Sequence, residues 1–80
     1  MKLYYVEWID SQSTTGWIFD NDDDYIDELI PSKCKTVGWL LRETNDCIVL
    51  AQSTADGNST TERMCIPKCC IKKKRIIKIE

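Results

Sequence analysis

Two apolar segments separated by a short polar break commit the centre of this chain to a β-hairpin. Thr36-Val37-Gly38-Trp39-Leu40-Leu41-Arg42 and Cys47-Ile48-Val49-Leu50-Ala51 are rich in β-branched, aromatic and leucine side chains, which favour extended backbone. Thr44-Asn45-Asp46 between them leaves room only for a tight turn. A two-residue loop at Asn45-Asp46 sets Leu41 opposite Leu50 and gathers Trp39, Leu41, Ile48 and Leu50 on one face, whereas a three-residue loop pairs Leu41 with Val49. The first is the expected register, because both leucines then share the buried face.

The flanking sequence supplies further strands. Lys2 to Ile9 alternates Tyr4, Val6 and Trp8 with Leu3, Tyr5 and Ile9, so both faces of a first strand carry apolar groups. Asp10-Ser11-Gln12-Ser13-Thr14-Thr15-Gly16 favours turns, and Trp17-Ile18-Phe19 returns briefly to strand character. Beyond the hairpin, Thr54 to Thr61 reads as a polar loop around Asp56-Gly57-Asn58, and Glu62 to Ile66 as a short strand stopped by Pro67. Lys68-Cys69-Cys70 is expected to form a single 3₁₀ turn before a last strand, Lys72 to Ile79. The expected core is Val6, Trp8, Val37, Trp39, Leu41, Ile48, Leu50, Ile66, Ile71 and Ile77.

Eighty residues make one domain, spanning 1–80, and a chain of this size buries only about 60% of the surface its unfolded form exposes. So thin a core invites disulfides, a metal or a partner subunit. The five cysteines are odd in number, and the vicinal Cys69-Cys70 cannot readily bridge to itself, so reduced thiols are expected. Zinc on Cys65, Cys69 and Cys70 lacks a Cys-x-x-Cys pair and any histidine. Asp20-x-Asp22-x-Asp24 opens like a calcium loop, but Tyr25 replaces its glycine and Pro31 its closing glutamate. No metal and no cofactor is expected, and Asp20 to Glu28 reads as a long acidic loop or short helix. No apolar run is long enough for a membrane span, which predicts a soluble protein with no membrane partner.

The net charge of −2 conceals a division: residues 1–62 carry 12 acidic and 4 basic side chains, and residues 63–80 carry 1 acidic and 7 basic. Such a dipole suits a basic surface for an anionic partner, or acidic and basic regions facing one another within a monomer or across a homo-oligomer.

Five strands, a long excursion after the first, a central hairpin and Ile66-Pro67-Lys68-Cys69-Cys70-Ile71 before the last strand together resemble the Src-homology-3-like barrel. The resemblance implies an all-β, five-stranded, partly open barrel with a 3₁₀ turn before its final strand. Polyproline binding is not implied, since that groove needs a tyrosine where Cys69 and Cys70 stand, and a tryptophan pair where only Trp39 stands. The pattern Trp8-x-Asp10-Ser11, Gly16-Trp17, Cys34-x-Thr36-Val37-Gly38-Trp39-Leu40 and Ile66-Pro67-Lys68 with Ile71 is similar to small proteins of tailed bacteriophages and prophages. That similarity implies an accessory protein of the host bacterial cytoplasm, acting in counter-defence on a host protein or by sequestering a nucleotide signal.

Catalysis is disfavoured by composition. With no histidine and no glycine-rich phosphate loop, only a cysteine thiolate beside lysines, Cys69 or Cys70 near Lys68 and Lys72, offers a nucleophile. Small-ligand binding has a better basis: Trp17 and Trp39 each follow a glycine, where a planar ligand could approach the backbone. Ser11, Thr36 and Ser53, together with Ser13 and Thr14, offer hydroxyls, and Arg63 and Lys68 offer phosphate contacts. Trp8 and Trp39 are equally readable as core residues, leaving Trp17 exposed. The alternative function is nucleic-acid binding through Lys72-Lys73-Lys74-Arg75, although such a run also serves simply to charge an edge strand.

Overall fold

The structure is a computed structural model that describes residues 1–13, 15–17, 26 and 29–79. Five strands, β1 (Leu3–Asp10), β2 (Ser32–Glu43), β3 (Cys47–Ala55), β4 (Ser59–Pro67) and β5 (Ile71–Ile77), form one antiparallel sheet in the order β4-β3-β2-β1-β5. A 3₁₀ turn over Lys68–Cys70 joins β4 to β5. The result is a small all-β, partly open barrel, as the sequence predicts. The Trp17-Ile18-Phe19 strand and the acidic segment Asp20 to Glu28 lie largely outside the described residues; of these, Trp17 is not in a strand.

β2 serves both halves of the sheet. Ser32 to Trp39 pair with β1, and Trp39 to Glu43 with β3, so Trp39 is the residue where one partnership passes into the other. The hairpin loop is the expected one: the Thr44 N–H donates to the Cys47 carbonyl at 2.9 Å, and Thr44 Oγ1 accepts from the Asp46 and Cys47 amides at 3.2 Å each. Glu43 then faces Ile48 and Arg42 faces Val49, but Leu41 bulges and Leu40 takes the place opposite Leu50. One extra residue reverses the side-chain phase of everything before it. Leu40 therefore packs on the core while Trp39 and Leu41 are only half-buried, and Val37 is 54% exposed.

Among the described residues the core is correspondingly small. Tyr4, Val6, Ile48, Leu50 and Ile66 form a buried cluster with Trp8, Leu40 and Ile71 packed against it, and Ala51 is buried as well. Ile77, expected inside, is half-buried on the outer row with Leu3 and Trp39. The Thr54 to Thr61 stretch is not a loop. β3 and β4 continue to Ala55 and Ser59, joined by Asp56 (φ 54°) and Gly57 (φ 74°), the paired left-handed conformations of a type I′ turn.

An ion cluster ties one end of the barrel together. Glu43 Oε2 at the end of β2 receives Lys68 Nζ at 2.9 Å from the 3₁₀ turn and Lys74 Nζ at 2.7 Å from β5. Lys74 reaches there across the Tyr4 ring, 5.6 Å from its centroid, and the Lys68 amide donates to the Asp46 carbonyl at 2.8 Å. The hydrogen bonds from Lys68 and Lys74 hold the Glu43 carboxyl down to about 2, against an ordinary 4.5. An unfolded chain takes up that proton near 4.5 and the folded one only near 2, so the stabilisation is complete above this window and is lost as pH falls through it. Glu43→Gln is therefore expected to lower the melting temperature near neutral pH, by an amount that shrinks as the medium is acidified and that added salt also reduces. Melting curves from about pH 6 to 2 check this; a mutant deficit that stays constant over that range would contradict it.

Candidate functional site

The divergence of β2 from β3 beyond Trp39 and Ala51 opens a groove of about 320 Å³. Thr36, Val37 and Gly38 form one wall, Leu50, Ala51 and Gln52 the floor, and Glu62, Arg63 and Met64 of β4 the other wall. β3 and β4 pair at Ala51/Arg63 and Ser53/Thr61 but not at Gln52/Glu62. The cause is local: Glu62 has φ 51°, a left-handed conformation that costs a non-glycine residue about 1–2 kcal/mol. That break interrupts the ladder at the groove wall.

Of the residues expected to bind a ligand, the groove brings two together, Thr36 and Arg63. The Thr36 hydroxyl accepts a hydrogen bond from Trp8 Nε1 at 2.9 Å, and Arg63 Nε donates to Thr60 Oγ1 at 2.8 Å, which aims the exposed guanidinium along β4. Trp39 and Ser53 flank the groove: Trp39 pairs with the floor residue Ala51, and the exposed Ser53 pairs with Thr61 one step further along the hairpin. Ser11 lies beyond the end of β1, its amide donating to Asp10 Oδ1 at 2.8 Å, and Trp17 is 98% exposed; neither lines the groove. Lys68 is engaged by Glu43.

Gly38 does not leave the opening the sequence suggested. A Cβ there would stand 3.0 Å from Leu50 Cβ and 3.1 Å from the Ala51 carbonyl oxygen, so β3 already fills the space. Glu62, Gln52 and Met64 are the lining residues that sequence reasoning missed. A left-handed glutamate inside a strand has no signature in composition or alternation. Glu62 beside Arg63 makes the groove wall mixed in charge, which suits a polar, extended segment better than a polyphosphate.

Comparison with family models, curated proteins and solved structures gave no match.

The thiols divide by environment. All five are free, and among the described residues no three metal-binding side chains converge. Cys70 is pushed above its ordinary value by the neighbouring Cys69 thiol, 3.9 Å away, and by burial, the opposite of what a nucleophile requires. Cys65 is exposed on the outer face of β4. Cys47, half-buried on β3, is held below its ordinary value by hydrogen bonds from Thr44 and Cys65.

Proposed function

We propose that this protein acts by binding rather than catalysis, as a phage or prophage accessory protein of the bacterial cytoplasm that engages a host protein in counter-defence. The observation that carries the binding reading is the groove itself. It has an apolar floor of Leu50 and Ala51, an interrupted ladder at Gln52/Glu62, and an arginine and a glutamate side by side on one wall. An extended partner segment can place side chains on that floor while its backbone meets the polar groups of the wall. Sequestration of a nucleotide signal is the second reading, favoured by an arginine and a threonine, Arg63 and Thr36, lining the same groove. Self-association belongs to the proposal as well, because among the described residues β4 and β5 each leave one edge unpaired.

A host-lysate pull-down run beside a thermal-shift panel of cyclic dinucleotides and ADP-ribose-type molecules separates the two ligand classes. The partner reading expects one host protein retained by the wild type and lost on Arg63→Glu, with no nucleotide shift. A nucleotide at about a hundredfold over its Kd would add about 2.7 kcal/mol, a shift on the order of 10–20 °C in a domain of this size. Such a shift, abolished by Arg63→Ala, would replace the partner reading with the second.

A further inference from the structure

Sheet pairing collects cations that are far apart in sequence. The outward-facing residues of β1 are Leu3, Tyr5, Glu7 and Ile9; Glu7 lies between Lys35 of β2 and Lys73 of β5, Tyr5 lies next to Arg75, and Ile9 lies next to Lys33. The β1–β5 register shifts between Glu7 and Trp8, leaving Lys72 as an extra residue, and Lys72 lines a hollow of about 310 Å³ together with Lys33, Lys35 and Glu7. Lys33, Lys35, Lys72, Lys73 and Arg75 are all exposed, and among the described residues none of them forms an ion pair. Glu7, among the described residues the one acid in their midst, accepts a hydrogen bond from the Tyr5 hydroxyl at 2.7 Å. Lys74, from the middle of the basic run, points the other way and is held by Glu43.

We propose that the outer face of β2, β1 and β5 binds the phosphate backbone of single-stranded nucleic acid. Alternate residues along a strand stand about 6.6 Å apart, and β2 and β5 lie about 10 Å apart across β1, so the cations form two short parallel rows that a single strand can follow. Arg75 stacks on the Tyr5 ring, 5.1 Å from its centroid, and the pair offers a flat cationic surface to a base. The patch is bounded by Asp10 at one end and by the apolar Leu3, Trp39 and Ile77 at the other. A straight duplex would carry its flanking phosphates over both borders, whereas a flexible single strand can turn away. The site is separate from the groove and does not rest on the partner reading.

The test is fluorescence anisotropy of a labelled oligo-dT against salt. Neutralising about four phosphates predicts that log K falls with log salt with a slope of about −3, and each cation removed should flatten it by roughly 0.7. Lys33→Glu with Lys35→Glu is expected to weaken binding by more than tenfold at low salt and to flatten the slope; Lys33 and Lys35 lie outside the C-terminal basic run and enter only through sheet pairing. Arg63→Ala should leave binding unchanged, which separates this face from the groove. Absence of binding at low salt, retention of full affinity by the Lys33/Lys35 variant, or equal affinity for a duplex of the same length would each overturn the proposal.

Discussion

Gly38→Val is expected to destabilise the protein by about 3 kcal/mol, the upper end for forcing extra atoms into a filled site, and to lower the melting temperature by roughly 15 °C. The reason lies in the close approach of β2 to β3 at Gly38. The first atom of any side chain would meet Leu50 Cβ at 3.0 Å and the Ala51 carbonyl oxygen at 3.1 Å. Leu50 is 2% exposed and Ala51 1%, so neither has room to retreat, and the Ala51 backbone is fixed by pairing with Trp39 and Arg63. Tyr4, buried directly opposite Gly38 on β1, closes the other side. Gly57 is the useful comparison. It has open space around it and φ 74°, so Gly57→Ala should cost only about 1 kcal/mol, through backbone strain alone. Urea unfolding of the two variants distinguishes a packing requirement from a conformational one, and equal losses would show that the close contact is not what Gly38 is for.

The strands were legible because alternation and turn chemistry are local. Asn45-Asp46, Asp56-Gly57 and Pro67 punctuate the chain where the structure turns, and the alternation of β1 set Val6 and Trp8 on one face, which is the face the core takes. The bulge at Leu41 was not legible: three consecutive apolar residues, Trp39-Leu40-Leu41, satisfy either phase, and only the competition of β1 and β3 for β2 decides between them. The same limit applies to the sites. Thr36 and Arg63 line one groove at the place where strand pairing ends, and Lys35 and Lys73 flank Glu7 of β1, neither of which any spacing along the chain announces. Lys68 and Lys74 read as free cations in the sequence, yet both converge on Glu43.

Ile66→Ala is expected to remove about 4 kcal/mol, near the top of the range for a large-to-small change in a core. Ile66 is fully buried and pairs directly with Ile48, itself fully buried, so the lost atoms leave a cavity between two side chains that have no solvent-facing route to collapse. An 80-residue domain has on the order of 4–12 kcal/mol in all, and among the described residues five buried apolar side chains form the central cluster of this one, so the variant should stand near its unfolding threshold at room temperature. Val37→Ala is the decisive companion. The sequence placed Val37 in the core beside Trp39, whereas the bulge at Leu41 turns it outward to 54% exposure, and truncation there should cost no more than about 0.5 kcal/mol. Comparable losses at positions 37 and 66 in denaturant unfolding would mean that β2 keeps the unbulged register, with Leu41 rather than Leu40 against Leu50. The expected separation of several kcal/mol would fix the side-chain phase of the strand that positions one wall of the groove and one row of the basic face.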